Sequence, residues 1–130
     1  MNMAFIFNNP EIDAEYLNSL YDGDRELLIS VFEEYSDALP ATVEHLAADF
    51  QKNDPVLFKQ TVHGYKGSFG YTGFSNISQS MQYIENKVAY LDDLEEIRAE
   101  FELVLQQVKH SGKIIQEELA QLKKAQNGAE

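Results

Sequence analysis

Apolar residues return every three or four positions through most of this chain. Leu28, Phe32, Tyr35, Leu39, Val43, Leu46 and Phe50 keep that spacing through one long stretch. Phe58, Val62, Tyr65 and Phe69 keep it through the next, followed by Phe74, Ile77, Met81, Ile84, Val88 and Leu91. A last run reads Leu94, Ile97, Phe101, Val104, Val108, Ile115, Leu119 and Leu122. Each run makes one greasy stripe on a helix. A shorter set, Ile12, Tyr16 and Leu20, predicts a small helix opened by Asn9-Pro10-Glu11. No period-two alternation predicts a strand, and no segment repeats. Amphipathic helices joined by short breaks predict an all-α fold: an antiparallel four-helix bundle with an additional short N-terminal helix.

The breaks are marked by turn residues. Asp22-Gly23-Asp24 ends the first helix, and Asn53-Asp54-Pro55 separates the second from the third. Pro40 falls inside the longest run, where a proline costs about 3 kcal/mol and predicts a bend. Asp92 with Glu95 predicts an acidic cap before the last helix, which Ser111-Gly112 is expected to bend or weaken. Residues 1–9 read as an arm and 126–130 as a fraying tail on a single domain spanning 1–130.

One stretch departs from good helix chemistry. His63-Gly64-Tyr65-Lys66-Gly67-Ser68-Phe69-Gly70 lies in the second half of the third helix, yet contains three glycines. Each interior glycine costs about 1 kcal/mol relative to alanine. Two explanations fit: another helix of the same protein packs closely there, or something external must approach the backbone around His63. On the helical wheel Lys59, Gln60, Lys66, Gly67 and Gly70 share the side of His63, away from the apolar stripe.

Composition narrows the classes. There are 22 acidic and 10 basic side chains, for a net charge of −12. That argues against nucleic acid and anionic membranes as partners, because both need basic patches. Cysteine is absent, which excludes disulfides and thiolate metal sites. No run approaches the length of a membrane span, and the N-terminus lacks a signal-peptide pattern, so a cytoplasmic location is expected. His45 and His110 have no Lys-Gly following them and read as surface residues. No His-x₃-His or His-Glu-x-x-His spacing predicts a metal site, and no glycine-rich phosphate loop predicts ATP binding.

The order His63, Lys66, Gly67 and then Gly73 resembles the signature of the histidine-containing phosphotransfer (HPt) domain, His-x-x-Lys-Gly with a glycine ten residues after the histidine. The flanks are similar too, with Leu28, Phe32, Leu39, Leu46 and Asp54 upstream and Ile84-Glu85 downstream. Phe69, Gly70 and Tyr71 stand where smaller or aliphatic residues are more usual. The resemblance covers roughly residues 11–120. It implies a carrier that accepts a phosphoryl group on His63 from a receiver aspartate of a response regulator and passes it to another receiver. It also implies that Mg²⁺ and the catalytic acids belong to the receiver, so this chain needs no cofactor of its own.

A carrier histidine needs a free lone pair on one ring nitrogen and a proton held on the other. Glu85 flanks the Ile84 seam on the following helix and is the candidate to hold that proton. Taken alone it reads as an ordinary solvated acid; the resemblance implies the orienting role, twenty-two residues after the histidine. Lys66, one turn from His63, is the candidate to neutralise a phosphoryl group of about −2 charge. Gly67 and Gly70 leave room for the donor, and Gln60 and Ser68 are candidate hydrogen-bond donors to it. The expectation is a monomeric, stand-alone phosphocarrier rather than an enzyme. The alternatives are a non-phosphorylated helical adaptor that binds receivers, or an excised phospho-accepting domain of a hybrid or chemotaxis-type kinase.

Overall fold

The computed structural model describes residues 4–128, with side chains described as far as residue 125. Five α-helices account for most of it: α1 (Ala14–Tyr21), α2 (Arg25–Gln51), α3 (Pro55–Tyr71), α4 (Ser75–Val88) and α5 (Arg98–Gly128). A 3-10 turn, Leu94–Ile97, leads into α5. No strand occurs among the described residues. Helices α2 to α5 form the antiparallel bundle, with neighbours α2–α3, α3–α4, α4–α5 and α5–α2, and α1 packs on α2. The expected all-α bundle with a short N-terminal helix is the fold observed.

Local chemistry explains most of the boundaries. Asp13, Asp24 and Asp54 cap α1, α2 and α3, each accepting a backbone N–H from the first turn. Pro55 follows Asp54 at the first helical position, where its missing N–H costs nothing. The α1–α2 corner places Asp22 and Gly23 at φ of 46° and 80°. Helix α3 ends in a paired closure: Phe74 N–H donates to Phe69 O at 2.8 Å, and Gly73 N–H to Gly70 O at 3.0 Å. Gly73 has φ of +85°, and a Cβ there would lie 2.7 Å from Leu17 Cδ1. Its carbonyl accepts the Asp13 N–H at 2.8 Å, which seats the start of α1 on the α3–α4 corner.

Several boundaries differ from the sequence expectation. Helix α1 begins after Asp13, not at Asn9-Pro10, and its buried face is Leu17 and Tyr21. Tyr16 and Leu20 are largely exposed, so only Ile12 of the expected stripe is buried. The residue that satisfies the first orphan amide is Asp13, three positions beyond the proline. Helix α2 runs unbroken through Pro40, which sits on an exposed face where the lost amide bond faces water. The cap before the last helix is Asp93, whose side chain accepts from Glu95 N–H; Asp92 is not the capping residue. Helix α5 continues through Ser111-Gly112. Ser111 is buried and hydrogen-bonds Tyr35 Oη across to α2 at 2.5 Å. A Cβ on Gly112 would meet Leu39 Cδ2 at 2.6 Å, so this glycine permits close packing of α5 on α2.

The core runs the length of the bundle. Phe50 stacks on Phe101 at 4.3 Å between centroids, and Phe58 meets both edge-on. Tyr35, Phe69 and Phe74 form a second aromatic group below the α3–α4 corner. Residues 4–9 carry no helix, but they lie against the bundle. Phe5 is buried, Phe7 packs near Phe32, and Glu118 of α5 accepts the N–H groups of Asn8 and Asn9. At the other end, α5 reaches Gly128; residues 129–130 of the expected tail lie outside the described residues.

Candidate functional site

The apolar stripe of α3 fixes what its other face presents. Phe58, Val62 and Phe69 are buried, so His63 points outward and its side chain is 71% exposed. Glu85 projects from α4 beside the seam residue Ile84 and is buried between the two helices. His63 Nδ1 lies 2.5 Å from Glu85 Oε1. The second carboxylate oxygen, Oε2, accepts from Lys66 Nζ at 3.2 Å and from Gln82 Nε2 at 3.2 Å. Lys66 Nζ also donates to Gln82 Oε1 at 2.6 Å. Gln82 Nε2 also donates to Asn86 Oδ1 at 2.8 Å, so the site is a network of five side chains, two from α3 and three from α4.

This geometry sets the protonation states. Burial pushes the Glu85 carboxyl up, but hydrogen bonds from Lys66 and His63, together with the Lys66 charge, outweigh it and hold the group below its ordinary value. Glu85 is thus a carboxylate at neutral pH, and a carboxylate only accepts. The proton in the short contact sits on His63 Nδ1, which leaves Nε2 with its lone pair on the solvent side.

The remaining candidates separate clearly. At about 100° per residue, Gly67 lies about 40° and Gly64 about 100° from His63, on the side away from α4. A Cβ on Gly64 or Gly70 would meet nothing within 4 Å, and one on Gly67 would reach only Tyr71 Cε2, at 3.7 Å. None of these three glycines is required by packing within the chain. Gln60 is exposed one turn before His63. Ser68 is not brought to His63: it lies about 140° round the helix, and its hydroxyl donates to Tyr65 O at 2.8 Å. Gln82 was not apparent in the sequence. Its position one turn before Glu85 is a signal only once Glu85 is known to face α3.

Beyond the glycine strip lies an apolar groove of about 540 Å³ between α1, α2 and α3, with Leu27, Val31, Tyr65 and Tyr71 in its walls. Further along α2, Asp49 is buried and accepts from Thr61 Oγ1 at 2.6 Å and Lys52 Nζ at 3.0 Å. Those two bonds, aided by the charges of Lys52 and His45, hold its carboxyl below the ordinary value. His45 bridges Asp49 and the Tyr65 hydroxyl, at 3.0 and 2.7 Å. It is an exposed residue, but not an isolated one.

The helical bundle thus presents a solvent-facing histidine bonded to a buried carboxylate. Residues 30–125 match the Hpt domain family, and the chain belongs to it. Its fold is similar to the HPT domain of the Hpt sensor hybrid histidine kinase from Shewanella, a crystal structure at 1.80 Å, with a TM-score of 0.75 and 20% identity. That likeness covers 85% of this chain and 95% of the other. No curated protein matches the chain in sequence. Membership gives the chain a phosphotransfer role in two-component signalling, as a carrier that works with receiver domains. No helix among the described residues is long and apolar enough to cross a membrane.

Proposed function

We propose that the chain relays phosphoryl groups between receiver aspartates, with His63 as the acceptor. The observation that carries this reading is the exposed Nε2 lone pair fixed by the Nδ1–Glu85 contact. In the forward step, Nε2 attacks the phosphorus of an aspartyl phosphate on the receiver. The N–P bond forms as the P–O bond to the aspartate breaks, and its electron pair leaves as carboxylate. The Nδ1 proton stays in place, so the phosphorylated ring carries a positive charge opposite Glu85. A carboxylate of a second receiver reverses the step. The Mg²⁺ of the reaction is supplied by the receiver.

Open backbone at Gly64 and Gly67 supports close approach of that partner. The test is incubation with a receiver carrying labelled aspartyl phosphate. Wild-type protein should gain acid-labile label and His63→Gln should gain none, with helicity unchanged. Equal labelling of the variant would remove His63 from the reaction.

A further inference from the structure

The network around Glu85 changes which lysine is available. Lys66 follows His63 by one turn, but its ammonium is held by Gln82 Oε1 at 2.6 Å and Glu85 Oε2 at 3.2 Å. Its side chain is only 22% exposed. Its positive charge is already matched by the buried carboxylate that orients His63. Moving it to the outer ring nitrogen would strip Glu85 of a partner in a buried position, which is costly.

Lys59 is placed differently. It stands one turn before His63 on the same face of α3, and it is exposed. Among the described residues it makes no ion pair or hydrogen bond, although the chain carries 22 acids. The reason lies in the sequence around it. Residues 55–84, which include all of α3 and most of α4, contain no Asp or Glu. All the acids fall before or after this stretch, whose only formal charges are Lys59 and Lys66. With Lys66 matched by Glu85, Lys59 is the unspent cation on the face that carries Nε2. Helical side chains lean toward the N-terminus of their own helix, so the His63 ring leans over the turn that bears Lys59, whose flexible four-carbon stem turns back to meet it.

We infer that Lys59 is the cation that contacts the oxygens of the phosphoryl group on His63 Nε2, while Lys66 secures Glu85. The inference rests on the proposed acceptor role of His63. Lys59 donates N–H bonds to the phosphoryl oxygens and transfers no proton. The acid-free stretch removes one source of repulsion from this approach in a chain that is otherwise strongly negative.

The experiment compares wild type, Lys59→Gln, Lys59→Arg and Lys66→Gln in transfer from a receiver loaded with labelled phosphate. Circular dichroism checks that each folds. Lys59→Gln should slow transfer roughly tenfold and flatten its salt dependence, while leaving the His63 tautomer seen by nitrogen NMR unchanged. Lys59→Arg should restore most of the rate. Lys66→Gln should instead disturb the tautomer. Labelling of Lys59→Gln at the wild-type rate and salt slope, with wild type labelled on His63, would overturn the Lys59 inference alone. Failure of wild type to take any label would overturn the acceptor reading and this inference with it.

Discussion

Gly67 and Gly73 belong to the same motif but serve opposite needs, and substitution should separate them. At Gly67 a new Cβ meets only Tyr71 Cε2, at an ordinary 3.7 Å. Alanine there should therefore gain the helix propensity that glycine forfeits, about 1 kcal/mol. For a domain of this size that raises Tm by roughly 3–5 °C. Glutamine at the same position has room to extend into solvent and should also leave the fold intact. It would, however, place a side chain beside the His63 ring and obstruct the receiver. At Gly73, alanine must adopt φ of +85° and put its Cβ 2.7 Å from Leu17 Cδ1 and 3.0 Å from Ile12 Cγ2. Backbone strain of about 1–2 kcal/mol adds to overpacking of about 1–3 kcal/mol. The assay is thermal melting of Gly67→Ala, Gly67→Gln and Gly73→Ala beside their phosphotransfer rates. The expected pattern is a steadier fold with large loss of transfer for Gly67→Gln, and a clear drop in Tm for Gly73→Ala. A lowered Tm with normal transfer for the Gly67 variants would refute the access argument and assign that glycine to internal packing.

Two further outcomes follow from the buried carboxylates. Glu85→Ala should slow transfer roughly tenfold without abolishing it, and should shift the His63 tautomer balance in nitrogen NMR; an unaltered balance and rate would return Glu85 to a passive role. Asp49 has its folded pKa lowered by Thr61 and Lys52, so its stabilisation is complete above the ordinary aspartate value of about 3.9 and is lost as pH falls through the lower folded value. Acid titration of stability should therefore be flatter for Asp49→Asn than for wild type, and parallel curves would contradict the linkage.

The large features were legible because they depend on periodicity. The stripes of α2, α4 and α5 appear in the sequence as they are buried in the fold, except that Val43, Leu91 and Leu119 are only partly covered. Asp54-Pro55 and Gly73 carry their own local chemistry, so the ends of α3 were legible as well. The short helix α1 was misplaced because Asn9-Pro10 and Asp13 both offer start signals, and only docking of Asp13 on Gly73 and Ser75 selects the second. Pro40 does not split α2, because a helix interior that faces water tolerates a missing amide bond better than the intrinsic cost suggests. In the site, His63 and its facing Glu85 could be named from sequence, and the structure brings them together. The partner of Lys66 could not. Which oxygen receives its ammonium depends on the α3–α4 packing angle and on Gln82, neither of which leaves a mark in helical periodicity. The glycines were the reverse case. Their excess was visible, but only the space around each distinguishes Gly112, which admits Leu39, from Gly64 and Gly70, which face open space.

The most direct test of the central claim is the position of the N–P bond. Protein labelled with nitrogen-15 in its histidines is phosphorylated by a loaded receiver, and phosphorus–nitrogen coupling is read on the three imidazoles. The account predicts coupling at His63 Nε2 alone, with the proton retained on Nδ1 and its resonance altered in Glu85→Ala. Coupling at Nδ1 of His63, or at His45 or His110, would contradict it.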